Sequence, residues 1–451
     1  MMNNPPWKNN LDALHRLEME RFRQRIPKSL ALHERGKAVM PNGVPATWMV
    51  GLHDHPPIFV AEGAGAYLLD VDGNRYLDMN HADLSMSCGY AHPAVVSAVC
   101  AQVSKGSQFL LPSQLAIDVS ELLGARFGLP KWQYTLSASM ANKECIKIAR
   151  AHTGRKRVLV FDGSYHGHIP ETLDAMSAEA EQAKLAESVS IPFNDLDALQ
   201  HMLRTREFAL ILLEPAMTNI SLVKPEPGFL QGMRQLCTAY GTLLLSDETH
   251  THVCAWGGLT REWSIDPDFV VVGKAIAGGI PMGTYGMRDE IAATVERNTD
   301  YDRWPEEGSG GLALGGTLFG YPLALAATRA VLTEILTPEA HVRTSELGTR
   351  LADGLDAIVE RHGLPWSAFR LYCRSGICYS QTPPRTAAEA TEMADFQLNR
   401  YQRLFMANRG IWEAILSSGA AVSFVMTEKD IALYLEVFEQ MVKSLGQARP
   451  D

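Results

Sequence analysis

The sequence predicts an α/β fold in which a mainly parallel sheet carries helices on both faces and is followed by a smaller α+β domain. Short, continuous apolar runs recur in the middle of the chain, at Arg157–Phe161, Phe208–Leu213, residues 242–245 and Phe269–Val272. Amphipathic stretches alternate with them. Runs without in-and-out alternation fit strands buried on both faces, as in a parallel sheet covered by helices. From about Tyr321 the chain turns helix-rich, with periodic stretches at residues 323–336, 339–362 and 387–406. Strand candidates beyond that point are shorter and weaker, at residues 376–380 and 420–425.

In chain order, residues 11–25 mix apolar and charged positions at helical spacing and predict a lead-in helix. Gly and Pro punctuate residues 41–57. Residues 66–78 read as a hairpin, two strand-like runs around Asp72-Gly73, a pair that suits positive φ. The expected division is an N-terminal segment (1–75) packing with the small domain, a large domain (76–325) and the small domain itself (326–451). The start, from Met1 to Trp7, has neither a basic patch nor an apolar stretch, so no secretory signal is expected.

Composition narrows the function classes. Among 451 residues, 51 acidic side chains outnumber 41 basic ones for a net charge of −10, with no basic run to grip a phosphodiester backbone. No apolar stretch approaches the ~18 residues of a membrane span. Seven scattered cysteines point to reduced thiols in a cytoplasmic protein rather than a disulfide framework.

Polar residues follow each apolar run: Asp162-Gly163, Glu214-Pro215, Ser246-Asp247-Glu248 and Gly273-Lys274. Ligands of open α/β sheets sit outside the carboxyl ends of the strands, so these positions carry the functional expectation. A lysine at a strand end within a glycine-rich loop is placed to be desolvated and nucleophilic, and Lys274 can form a Schiff base there. Its plainer reading is a surface lysine in a turn. Asp247 can hold a protonated pyridine nitrogen or serve as a cap or ion-pair partner. Glu248 reads as structural support. Ser137, Ala138 and Ser139 precede an amphipathic helix from Lys143 to Thr153, as a phosphate seat or an ordinary cap. Thr317, after Gly315-Gly316, offers another hydroxyl suited to phosphate. Tyr165 can stack on a planar cofactor or belong to the core, and His166 beside it can be a supporting hydrogen bonder.

Taken together and in this order, the motifs resemble class III aminotransferases of fold type I, the pyridoxal 5′-phosphate family that includes glutamate semialdehyde aminomutase. The resemblance runs from about Val39 to Ala327. Its most specific parts are Asp247-Glu248-Thr249, Pro267-Asp268-Phe269 leading to Gly273-Lys274, Gly278-Gly279-Ile280-Pro281-Met282-Gly283, and Gly316-Thr317-Leu318-Phe319-Gly320-Tyr321-Pro322. Residues 65–73 and Gly89-Tyr90-Ala91-His92-Pro93 match amino-terminal signatures. The resemblance implies a seven-stranded, mainly parallel sheet, with Lys274 as the Schiff-base lysine and Asp247 as the partner of the pyridine nitrogen. It places Ser137, Ala138 and Ser139 at the phosphate, and Tyr165 and Thr249 on the two faces of the ring, with His166 in the cofactor's surroundings. It also places Glu214 and Asn219 near the ring substituents, and Thr317 at the phosphate of a partner subunit, which implies a homodimer with shared sites.

Departures from the family pattern bear on the substrate. Ala138 stands where glycine is usual, Met140 replaces an acidic residue, and Thr249-His250-Thr251-His252 is unusually polar. Relatives acting on carboxylate substrates often carry an arginine in the segment that residues 41–49 match; here there is none. Trp48 and Met49 instead suggest an apolar substrate pocket, with Arg370 or Arg374 as a cation that can reach it. The expected activity is ping-pong amino transfer between an amine or amino acid donor and an oxo acid or ketone, through the Lys274 Schiff base. The alternative is an intramolecular aminomutase or an amino-acid racemase on the same scaffold. A zinc site from His250, His252, Cys254, His166, His168 and Asp247 is a reading from another class, which accounts for far fewer of the motifs, and no metal is expected.

Overall fold

The structure, a computed structural model, describes residues 10–51, 53–173, 187–299, 312–413 and 419–447. It divides into two compact units. One comprises Met1–His92, Arg343–Pro383 and Met393–Asp451, the other Pro93–Val342 and Pro384–Glu392. The sequence placed these divisions near 75 and 325.

In the first unit, β1 (Val60–Ala64), β2 (Tyr67–Asp70) and β3 (Arg75–Asp78) form an antiparallel meander. The β2–β3 turn is the expected Asp-Gly hairpin. Gly73 takes φ +91, and Asp70 Oδ1 accepts from the amides of Asp72 and Asn74.

The second unit is built on the expected seven-stranded sheet. Its strands are β4 (Lys131–Thr135), β5 (Arg157–Phe161), β6 (Ser188–Ile191), β7 (Phe208–Leu213), β8 (Leu243–Asp247), β9 (Phe269–Val272) and β10 (Gly283–Met287). The order is β4-β10-β9-β8-β7-β5-β6, with β10 antiparallel to both of its neighbours and the rest parallel. Every residue of β7 and β9 is buried, as the unbroken apolar runs required. Alternate residues feed two cores. Val158 and Val160 pack with the helix Ala138–Thr153, while Leu159 and Phe161 pack with the helices Leu196–Leu203 and Phe229–Tyr240. Each such side chain contributes about 1.5–3 kcal/mol by leaving water.

The chain then completes the first unit with β11 (Ser367–Leu371), β12 (Arg374–Cys378), β13 (Ile411–Trp412) and β14 (Ala420–Ala421). Strand β13 adds in parallel to β3, so carboxyl-terminal residues finish the amino-terminal sheet. Phe22 and Ile26, in and just after the lead-in helix Leu11–Arg25, pack on Leu404 and Ala407. The periodic stretch expected as one helix over 387–406 is two helices, Ala387–Met393 and Phe396–Asn408. Asp395 starts the second by accepting from the Leu398 amide at 3.0 Å, and a strong cap inside a periodic run restarts the helix. Among the described residues no helix is long and apolar enough to cross a membrane, and none of the seven cysteines is in a disulfide.

Candidate active site

Three adjacent strand ends deliver the chemistry. Strand β7 is followed by Glu214, β8 ends at Asp247, and β9 runs through Gly273 into Lys274. Lys274 takes φ +50, a left-handed conformation that costs a side-chain-bearing residue about 1–2 kcal/mol. It opens a short 3₁₀ turn, Lys274–Ala277, in which the Ile276 amide donates to the Gly273 carbonyl.

Asp247 is buried yet ionised. Burial alone would raise its pKa, but His166 Nδ1–H at 3.0 Å, Asn142 Nδ2 at 2.9 Å and the Thr249 amide at 3.1 Å donate to it and hold it below the usual carboxylate value. Asn142 comes from the helix Ala138–Thr153, and it also donates to the His166 carbonyl, locking that ring in place. Glu214 is just as buried, but its pKa is raised, with burial as the main cause. It accepts from the Tyr165 amide at 2.7 Å and more distantly from the Thr218 amide at 3.3 Å and the Thr218 hydroxyl at 3.2 Å. Asn219 Nδ2 lies at 3.4 Å from the same carboxyl group.

The Ser137 turn forms as the phosphate-seat reading requires. The Ser137 hydroxyl caps the helix by accepting from the Met140 amide, and the Ser139 hydroxyl accepts from the His168 amide at 3.0 Å. Both hydroxyl protons are left to donate toward an anion, beside the first N–H groups of the helix, which have no intrahelical acceptor. Two glycines allow the close approaches. A Cβ on Gly283 would stand 2.3 Å from the Ser137 carbonyl, and one on Gly167 would stand 2.2 Å from the Ser139 hydroxyl. Ala138 is tolerated in place of glycine because it begins the helix without positive φ, and Met140 is exposed, so no buried acid is lost there.

The structure therefore brings Lys274, Asp247, His166, Thr249, Tyr165, Glu214, Asn219 and Ser137–Ser139 together within one unit. Thr317 lies in the same unit on an exposed turn, its carbonyl accepting from Gln108 Nε2. Trp48 and Met49 belong to the first unit, in the four-residue helix Trp48–Gly51, and are 54% and 40% exposed. Arg370 pairs with Asp353 and Asp356, while Arg374 is fully buried in the first unit. Glu248 is the structural support expected, accepting from the Thr251 hydroxyl and the amides of Leu259 and Thr260. Among the described residues no group of three His, Cys, Asp or Glu is arranged to hold a metal ion.

Sequence reasoning missed Asn142, which donates to Asp247, and two further members of the site. His250, noted only for the polarity of its segment and as a ligand in the zinc reading, places Nε2 2.5 Å from Lys274 Nζ, and Thr218 bonds the other ring nitrogen at 2.7 Å. The signal available was the polarity of residues 249–252 directly after Asp247. Thr218 gives no sequence signal of its own.

These residues suit pyridoxal 5′-phosphate. An amine, an ionised carboxylate and an anion seat are all present. Thr249 Oγ1 and His166 Nε2 are buried without hydrogen-bond partners among the described residues, polar atoms that a polar ligand would engage.

A sequence model of the class-III aminotransferases matches residues 50–365. The glutamate-1-semialdehyde 2,1-aminomutase of Chloroflexus aggregans is 33% identical over 94% of this chain and 99% of its own length. A glutamate-1-semialdehyde-aminomutase from Pseudomonas aeruginosa, solved in complex with PMP, superposes with a TM-score of 0.89 at 31% identity, covering 97% of this chain and 99% of that one. A β-phenylalanine aminotransferase from Variovorax paradoxus gives 0.86 at 25% identity, over 98% and 99% of the two chains. With its strand-end lysine and carboxylate in place, the chain belongs to the class-III aminotransferase family of pyridoxal 5′-phosphate enzymes.

Proposed function

We propose that this protein moves an amino group on a small amino compound, and that the movement is an intramolecular 1,2-shift. The observation that carries the amino-group chemistry is the meeting of Lys274 with an ionised, buried Asp247 at neighbouring strand ends. Bound pyridoxal phosphate supplies a carbon that condenses with amines and a ring that takes up the electrons of a deprotonated carbon. Asp247 keeps a proton on the ring nitrogen, and His166 and Asn142 keep Asp247 ionised. Lys274 Nζ takes a proton from the substrate carbon and returns it at the neighbouring position. Ser137, Ala138 and Ser139 would hold the phosphate, and Tyr165, Thr249, Glu214 and Asn219 would hold the ring.

Support for the aminomutase reading comes from the relatives, which carry that name and align over nearly their whole length. Transamination is the second reading, favoured by the lack of arginine in residues 41–49 and by the likeness to the β-phenylalanine aminotransferase. One experiment separates them. Holoenzyme is incubated with a single amino compound, glutamate 1-semialdehyde or an aryl β-amino acid, without any oxo acid. Continuous formation of an isomer supports the aminomutase. A single half-turnover that resumes only when oxo acid is added overturns it in favour of the transaminase. In either case Lys274→Ala should abolish turnover, and retained activity in that variant would sink both.

A homodimer forms part of the same proposal. Thr317 is exposed on its turn, and Leu110, Leu111 and Ile117 of the same unit are 71%, 73% and 62% exposed, an apolar surface suited to a second copy. Sedimentation should give twice the monomer mass. A monomer that retains cofactor and turnover would contradict it.

A further inference from the structure

We propose that His250, Thr218 and Glu214 form a proton relay that opens at the amine of Lys274. The proposal rests on the reading of Lys274 as the amine that takes the substrate proton. The three residues come from the segments following β7 and β8, and all are buried, at 5%, 1% and 3% exposure. His250 Nε2 lies 2.5 Å from Lys274 Nζ, His250 Nδ1 lies 2.7 Å from Thr218 Oγ1, and Thr218 Oγ1 lies 3.2 Å from Glu214 Oε2. An imidazole with a different exchangeable partner on each nitrogen can accept a proton at one and release another at the opposite one.

The donor and acceptor roles follow from the ends of the chain. An ammonium on Lys274 only donates, so Nε2 accepts, and Nδ1–H then donates to Thr218, whose hydroxyl donates to the Glu214 carboxylate. In the relay step Lys274 gives one proton to Nε2. Nδ1 gives its proton to Thr218 Oγ1, and the original hydroxyl proton of Thr218 passes to Glu214. The products are a neutral amine, a neutral imidazole protonated at Nε2, an unchanged hydroxyl and a carboxylic acid. Charge and protons balance without an outside reactant. The amine is left ready to act as a base, and the reverse step returns its proton. Glu214 suits the terminus because burial favours its protonated form, whereas Asp247, the other buried carboxylate near it, is held ionised by His166 and Asn142. His166 and Asp247 also act on Glu214, the first lowering and the second raising its pKa.

The test uses purified holoenzyme carrying His250→Phe, His250→Gln, Thr218→Val or Thr218→Ser. Two quantities are read: the pH midpoint of the visible cofactor band, and the rate and solvent deuterium effect of a single half-reaction at saturating amine. His250→Phe should slow proton transfer about tenfold or more, with KM little changed, and should move the midpoint. His250→Gln keeps a hydrogen bond to Lys274 but cannot pass a proton through the ring, so it should be equally slow. Thr218→Val should move both readouts in the same direction, and Thr218→Ser should restore them. A His250→Gln enzyme with wild-type rate and midpoint would overturn the relay, as would a Thr218→Val enzyme with neither readout changed. If His250→Phe fails to fold, the two Thr218 variants still decide. Lys274→Ala serves as the separate control: turnover that survives in that variant rejects Lys274 itself, whereas an unmoved midpoint in the other variants rejects only the relay.

Discussion

Asp247 and Glu214 end adjacent parallel strands, are equally buried and carry the same functional group, yet they are held in opposite states. Burial penalises the charge of each. At Asp247 an imidazole N–H and an amide N–H converge on one oxygen at 3.0 and 2.9 Å, and the carboxyl falls below its usual value. At Glu214 only the Tyr165 amide is close, at 2.7 Å, and the Thr218 and Asn219 donors stand at 3.2 Å or more, so burial prevails. The difference teaches that depth does not assign roles at this sheet edge. Donor geometry makes one carboxylate a permanent anion and leaves the other able to carry a proton.

The largest effect should come from removing the anion. Asp247→Asn keeps the shape and loses the charge, and kcat/KM should fall by about 10²–10³ at matched cofactor occupancy. A loss smaller than tenfold would mean that the ionised state does no chemical work and that the contrast with Glu214 is structural only.

A smaller effect follows from weakening what keeps Asp247 ionised. His166→Phe removes the hydrogen bond that does most to lower the Asp247 pKa, so the carboxyl should return toward its ordinary value of 3.8. A depressed carboxyl stabilises the fold above its unfolded pKa, and that stability is lost as pH falls through the lower folded value. The variant should therefore be less stable than wild type above pH 3.8, with the gap closing as pH falls below that value, and its activity near neutrality should be reduced about tenfold. Coincident acid-unfolding curves would show that His166 does not set the ionisation of Asp247.

The two carboxylates also mark what the sequence could disclose. Apolar runs without alternation gave away β7, β8 and β9, so both acids were placed at strand ends, and Lys274 with them. Family spacing then distinguished their roles. What the sequence did not disclose is the local network. Asn142 reaches Asp247 from the first turns of the helix Ala138–Thr153, and Thr218 reaches His250 from a different strand end. Such contacts depend on how three segments converge, and neither residue has a periodicity or spacing that announces it. The break near Asp395 was hidden for the related reason that periodicity records the buried face and is blind to a cap within it. Buried contacts between converging segments, and a cap inside a periodic run, are thus where pattern and structure part, while the buried strands are where they agree.

The smallest effect sharpens the contrast through its sign. A carboxyl whose folded pKa is raised, as at Glu214, stabilises the fold below its unfolded value of 4.5 and loses that contribution as pH rises through the folded value. Glu214→Gln cannot ionise. Its oxygen can still accept from the Tyr165 amide, but its NH₂ must face the Thr218 amide, a mismatch costing about 1–3 kcal/mol at low pH. Wild type should therefore be the more stable protein at pH 4. As pH rises from 4.5 toward 7, wild type must bear the cost of a buried charge, at most about 1.4 kcal/mol for each pH unit, and the variant must not. The melting temperature of Glu214→Gln relative to wild type should climb across that window. The Asp247→Asn difference should move the opposite way and in a different window, changing only below pH 3.8, where wild type gains from its depressed carboxyl as pH rises, and staying flat above it. Parallel slopes for the two variants would erase the distinction between the anion and the proton carrier.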